Sequence, residues 1–376
     1  MRRLPQPCAS VGVVGAGIFG VTAAWELAAL GLAVTLYEKR ANILSGTTAH
    51  NFFRVHRGYH YPRDKPTALQ AHDGFASFSQ VFSDAFMAPF PHHYAIAVAN
   101  SLTSVDQFER HCDEVGLRAR RTHLPELVPG SVAACFEVDE AYYDTILLRK
   151  VAWERLSSTR VQVELHSAHT ARDISKAHDF VVVAAYGSQN EILRELGCPP
   201  IELQYELCEV PIVHIPTLRR VSLVVMDGPF VSVAPYGSNC HALYDVVHSV
   251  HARSVGYSGL GLGPGLGEFP RDLLPSPALA PQLSRFAPII ASAGRFLAPL
   301  KSAIHVGSHF AERVVMPGVE TTDARPTEVH WVSPRVISIL SGKVTTAVDT
   351  ARLVAREIAS QCASTATVRR PSMTPD

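Results

Sequence analysis

Apolar runs, glycine turns and helical periods alternate at the start of the chain. Val11-Gly-Val-Val-Gly15-Ala-Gly17-Ile-Phe-Gly20 predicts a strand that turns on glycine into a helix. Ala24 and Leu27 continue that helix, and Gly31 precedes a second strand, residues 33–38, which closes on the carboxylate of Glu38. Two later stretches share this character. Val161–Leu165 and the nearly continuous apolar run of 179–187 suit strands, the second buried on both faces and turning at Gly187. Val336-Ile-Ser-Ile-Leu-Ser-Gly342-Lys343 then leads into residues 345–360, where Val348, Ala351, Val354, Ala355 and Ile358 recur at helical spacing.

Between these segments the period changes to two. Residues 92–98 and 204–250, including Leu223-Val-Val-Met226 and Phe230-Val-Ser-Val-Ala234, suit antiparallel strands with turns at Asp227-Gly-Pro and Tyr236-Gly-Ser-Asn. The pattern predicts an α/β protein with a Rossmann-like lobe (1–76, 150–203 and 300–362) and an interleaved antiparallel-sheet lobe (77–149 and 204–299). Residues 256–281 carry too many glycines and prolines for a regular element. The small, polar residues 363–376 predict a disordered tail.

The opening segment is a complete dinucleotide fingerprint. Gly15 permits the tight turn, Gly17 lets a pyrophosphate approach the backbone, and Gly20 lets helix pack on strand, while Ile18 and Phe19 form the first helical turn. The phosphates belong on that helix N-terminus, where amide N–H groups and the dipole favour negative charge. Glu38, followed by Lys39 and Arg40, is placed to accept hydrogen bonds from both ribose hydroxyls and repels a 2′-phosphate. A single fingerprint excludes a second nucleotide domain for NAD(P)H.

Composition narrows the rest. The 376 residues carry 34 basic and 34 acidic side chains, so neither a nucleic-acid footprint nor a polybasic membrane patch is expected. The seven cysteines are dispersed without a CxxC pair, which argues against a disulfide framework, structural zinc or a redox dithiol. The seven residues that open the chain are too short for a secretory leader, and no apolar run reaches bilayer length, so a cytoplasmic protein without a membrane span is expected.

With these segments in view, the chain resembles FAD-dependent oxidoreductases of the D-amino-acid oxidase superfamily over nearly its whole length. Ser45-Gly-Thr-Thr-Ala-His-Asn51-Phe-Phe-Arg54-Val-His56-Arg-Gly58-Tyr-His-Tyr61 resembles the flavin loop of glycerol-3-phosphate dehydrogenases. Asp323-Ala-Arg325-Pro326 and Ser341-Gly342-Lys343-Val-Thr345-Thr346 resemble two further segments of that family. The resemblance implies FAD as cofactor, held additionally by Thr47, Thr48, Asn51, Arg54, His56, Gly58, Ala185, Gly187, Gly342, Lys343, Val344 and Thr345. The chain departs from the family at Ser341, at Tyr186 and across Tyr59–Arg63, so the substrate is not carried over.

If FAD is bound, electrons enter from an organic substrate, and the protein must orient a C–H bond and stabilise the reduced ring. The residues Arg54–Arg63 concentrate seven basic or aromatic-polar side chains in ten positions, a density that suggests an anion-binding pocket. Tyr59, His60, Tyr61 and the remote Arg325 are the catalytic candidates, with a histidine as proton acceptor. His56 and His60 stand four apart, but Gly58 and Tyr61-Pro62 oppose a helix there, so no metal site is expected. The expected activity is hydride removal from a carbon bearing an amine or hydroxyl in a polar, anionic small molecule, with oxygen, a quinone or a carrier protein as acceptor. A non-redox flavoenzyme and a flavin-binding partner protein with vestigial chemistry are the alternatives.

Overall fold

The computed structural model describes residues 9–218, 220–259 and 283–368. Its first sheet has six strands in the order Glu328–Ser333, Val336–Leu340, Phe180–Val183, Ser10–Val14, Ala33–Tyr37 and Gln162–Glu164. All run parallel except the outermost, Glu328–Ser333, which pairs antiparallel. Val11, Val13, Val182, Ile337 and Ile339 are fully buried, as the continuous apolar runs require of strands covered on both faces. Helices Ile18–Ala29 and Ala347–Val368 share one apolar core with these strands, through Val21, Ala24, Leu27, Val348, Val354 and Ile358.

The second sheet has nine strands and forms the other lobe. Its spine is Leu203–His214, buried at every position but the last. Three neighbours flank it, all antiparallel: Ile304–Val315 along one edge, and Val250–Gly256 and Cys240–Asp245 along the other. One pairing departs from the expected antiparallel pattern, because His92–Ala97 runs parallel to Ser222–Met226.

Two boundaries move. Residues 304–315, expected in the nucleotide lobe, belong to the second sheet: Phe310 and Val314 enter an apolar cluster with Leu203, Tyr205 and Leu207, which the alternation along that strand permits. The C-terminal helix continues through 363–368, where a disordered tail was expected. Residues 260–282, which contain most of the Gly- and Pro-rich stretch, lie outside the described residues, as does 369–376. Among the described residues, no helix is long and apolar enough to cross a membrane.

Candidate active site

Backbone space shows what the first glycine turn accommodates. A Cβ on Gly20 would lie 1.8 Å from the Gly15 carbonyl oxygen, and one on Gly15, whose φ is +98°, would lie 2.7 Å from Ala184 O. These two glycines are therefore required by packing alone. Gly17 differs. A Cβ there would meet nothing closer than Thr48 Oγ1 at 3.8 Å, so the turn is open in front of it. The N-cap of the following helix is Gly17 itself, which brings no side chain of its own to that end. Glu38 is aimed back at this turn: its two carboxylate oxygens accept from the amides of Ala16 and Arg40, each at 2.9 Å. Each oxygen keeps a second lone pair for a ribose hydroxyl. An open glycine cradle at a helix start beside an oriented carboxylate fits a dinucleotide pyrophosphate and ribose.

The neighbouring segments converge on this turn. Thr48 accepts from the Ile18 amide at 3.3 Å, and Thr47 donates to Glu312 O at 3.2 Å, tying the 45–51 loop to the second lobe. Ala184 and Ala185 pack against Gly15, and Gly187 leaves room for the Glu312 carboxylate. Tyr186, at φ 49°, exchanges hydrogen bonds with the main chain of Val314. At the other end, Gly342 packs on the Arg325-Pro326 backbone and donates to Thr327 Oγ1 at 2.9 Å. The two C-terminal segments singled out in the sequence are thus one structural unit, with Lys343, Val344 and Thr345 at the start of the last helix.

Between the lobes lies a polar cluster. Arg54, on a two-residue strand paired with Ala141–Tyr142, is buried. Its Nε donates to Tyr142 OH at 2.9 Å and lies 3.3 Å from Glu140 Oε2, while Nη1 reaches Tyr94 OH at 3.3 Å. Tyr94 in turn donates to Glu140 at 3.0 Å. The rings of His56, His60 and Tyr61 pack at centroid distances of 5.4–5.6 Å, and Lys343 Nζ sits 4.9 Å above the Tyr61 ring. Four buried polar atoms here have no hydrogen-bond partner among the described residues: Arg54 Nη2, His56 Nδ1, His60 Nδ1 and Tyr61 OH. Leaving such groups unpaired costs about 1–3 kcal/mol each, which makes the cluster a candidate ligand site.

Burial and like charge dominate the electrostatics. Desolvation, then Lys343 and Arg54, holds His56 well below the ordinary histidine value; desolvation, then Arg54 and Lys343, does the same to His60. Both are neutral, which makes the 3.9 Å approach of His56 Nδ1 to Glu140 neither an ion pair nor a hydrogen bond. Burial pushes the Tyr61 hydroxyl well up and raises the Glu140 carboxyl against the opposing pull of Arg54. Lys343 is lowered to about 7, first by desolvation and then by Arg325.

Several sequence candidates have other work. Tyr59 is turned away from the cluster: its hydroxyl donates to Arg118 O at 2.7 Å and accepts from the Asp139 amide at 3.3 Å. Asn51 is occupied by Tyr143 and by the Phe53 amide, and Gly58 packs against the Ala68 backbone. Lys39 is exposed, 3.4 Å from Ser188 Oγ, and Arg40 contributes the amide that holds Glu38. Arg57 lies over the Phe75 ring, and Arg63 grips Asp227 through two hydrogen bonds. Arg325 is beside the cluster, paired with Asp323 at 2.7 Å. The sequence reading missed Tyr94, Glu140, Tyr142 and Asp323. The run Glu140-Ala-Tyr142-Tyr143 held a signal, a carboxylate and two tyrosines together, but nothing local linked it to Arg54.

Comparison with known proteins gives a consistent picture. The family model described as FAD dependent oxidoreductase matches residues 10–239. The chain is 33% identical over 243 residues to the FAD-dependent monooxygenase FPY4 of Fusarium mangiferae, an alignment covering 60% of each chain. The chain thus spans about 60% of the length of the curated relatives it matches. Among solved structures, the glycine oxidase of Geobacillus kaustophilus aligns over 98% of this chain and 96% of its own, with TM-score 0.66 and 13% identity. The FAD-bound L-alpha-glycerophosphate oxidase of Mycoplasma pneumoniae aligns over 94% of each chain, with TM-score 0.69 and 14% identity.

Proposed function

Because the chain belongs to the FAD-dependent oxidoreductase family, we propose that it oxidises a small polar molecule at a carbon bearing a hydroxyl or an amine, and that the cluster around Arg54 and Lys343 is where that molecule binds. FAD would be held by the Gly17 turn and Glu38 at one end and by the Gly342–Thr345 helix start at the other. Bound FAD supplies the hydride acceptor at its N5 position.

The chain's own residues then have distinct tasks. Arg54 Nη2 and Tyr61 OH are free to donate hydrogen bonds to the substrate and fix its orientation. His56 and His60, held neutral by burial, offer ring nitrogens for the same purpose but are weak bases near neutral pH. Lys343 is better matched to hold the proton released from the reacting hydroxyl or ammonium, because a base works best with a pKa near the working pH and its own is about 7. This reassigns the proton acceptor from histidine to lysine. The observation that carries the reading is the group of four partnerless buried polar atoms on Arg54, His56, His60 and Tyr61, with Lys343 over the Tyr61 ring.

Anaerobic mixing of the FAD-loaded protein with amines, amino acids, hydroxy acids, polyols and sugar phosphates tests it. Bleaching of the flavin absorbance by one chemical class is expected; a flavin that no class reduces would refute an oxidoreductase. Readmitting oxygen, with the reduced enzyme tested against quinones, then identifies the acceptor. The relative FPY4 is described as a monooxygenase, so products are also checked for incorporated oxygen.

A further inference from the structure

The charges around the cluster are already balanced by the protein. Arg54 is committed to Glu140 at 3.3 Å, and both side chains are almost wholly inaccessible. Arg325 is committed to Asp323 at 2.7 Å. Arg313, near enough to depress Lys343, spends both its Nε and its Nη2 on Glu206 Oε2, at 2.6 and 2.5 Å, while Arg253 takes the other oxygen of that carboxylate. A carboxylate or phosphate ligand is ordinarily gripped by an arginine whose two parallel N–H groups are free. Here each guanidinium that faces the cluster already has its carboxylate. What remains is single donors and neutral acceptors: Arg54 Nη2, Tyr61 OH and the imidazole nitrogens of His56 and His60.

From this we infer that the substrate is an uncharged, hydroxyl-bearing small molecule, recognised through hydroxyl groups that each donate and accept, and not the anion that the density of arginines in the sequence suggests. The inference rests on the proposed oxidoreductase reading and narrows its substrate class. An anionic ligand entering this site must either break an internal ion pair or lie beside Glu140 and Asp323 with only Lys343 to offset them. Either route costs binding energy that a neutral polyol does not spend. Lys343 makes no ion pair among the described residues, and its ammonium is readily lost near neutrality, so it does not restore a fixed positive charge.

The test is isothermal calorimetry on the FAD-loaded protein with sets that share a carbon skeleton but differ in charge: glycerol, glycerate and glycerol 3-phosphate, then sorbitol, gluconate and sorbitol 6-phosphate. The neutral member of at least one set is expected to bind about ten-fold or more tightly than its anionic partners, the scale of one hydrogen bond to a charged group. Asp323→Asn, at a partly exposed position, frees Arg325 and should close that gap by about ten-fold. Tighter binding of the glycerate or phosphate members by the unaltered protein overturns the inference, as does failure of every neutral member to bind. Neutral binding without flavin bleaching by any compound would instead defeat the oxidoreductase reading while leaving the charge argument intact. Bleaching by anions alone would do the reverse.

Discussion

The Gly17 turn and the Arg54 cluster, the two polar parts of the proposed site, are built in opposite ways. At the turn, the groups that matter are main-chain amides and one carboxylate 22 residues away, held by backbone alone. In the cluster, the functional side chains are held by other side chains: Arg54 by Tyr94 and Glu140 and Lys343 over Tyr61, all distant in sequence, and Arg325 by Asp323 two residues before it. A turn made of backbone depends on the glycines whose Cβ space is filled, Gly15 and Gly20. A cluster made of matched side chains can change its ligand by losing one partner.

Removing one member of the buried ion pair should break this comparison most severely. Arg54→Ala leaves Glu140 buried without its counter-charge, and Glu140→Ala does the converse; each should destabilise the protein by about 3–5 kcal/mol in chemical denaturation. The paired replacement Arg54→Met with Glu140→Leu should recover most of that loss. If the single replacements are as mild as the pair, the ion pair does not organise the cluster.

The turn should respond differently at two glycines three positions apart. Gly17→Ala, into open space at an ordinary φ of −70°, should leave the stability of the FAD-free protein within about 0.5 kcal/mol while weakening FAD retention at least ten-fold. Gly20→Ala, whose Cβ would overlap the Gly15 carbonyl, should destabilise the protein before FAD is added. Equal effects of the two on stability would contradict an open cradle at Gly17.

Lys343 gives a pH signature. Its folded pKa of about 7 lies below the unfolded value of 10.5, so between those values the unfolded chain binds the extra proton and stability rises with pH. Below pH 7 both states are protonated and the slope vanishes. Lys343→Met should remove the rise between pH 7 and 10 in FAD-free protein, as read by urea denaturation across pH. The smallest effect is expected at Tyr59→Phe, which loses two main-chain hydrogen bonds worth about 1 kcal/mol together and leaves flavin reduction unchanged.

The same contrast explains what the sequence made legible. Gly15, Gly17, Gly20 and Glu38 are read from a pattern within thirty residues, because a strand, a turn and a helix impose their spacing locally. The two-lobed architecture followed from the switch between continuous apolar runs and period-two alternation. The strand Ile304–Val315 was misassigned because its partner, Leu203–His214, lies about a hundred residues away, and only pairing reveals which sheet it joins. In the cluster, aromatic and basic density located the right ten residues but not their orientation. Tyr59 and Tyr61 are two apart in a turn, and only the structure shows that one faces Arg118 and the other Lys343. Arginine density suggested an anion because Glu140, which compensates Arg54, comes from elsewhere in the chain, and nothing in the sequence shows that Asp323 pairs with Arg325.

Under the proposed function, substrate reacts at the cluster between the lobes. This is tested most directly by stopped-flow reduction of the flavin, without oxygen, in His60→Phe, a replacement that keeps the packing against Tyr61 and Tyr94 but removes the ring nitrogens. Full FAD content is expected, with reduction slowed by roughly 10–100-fold, the scale of losing a hydrogen bond that orients the reacting group. Full FAD content with an unchanged rate of reduction would contradict it.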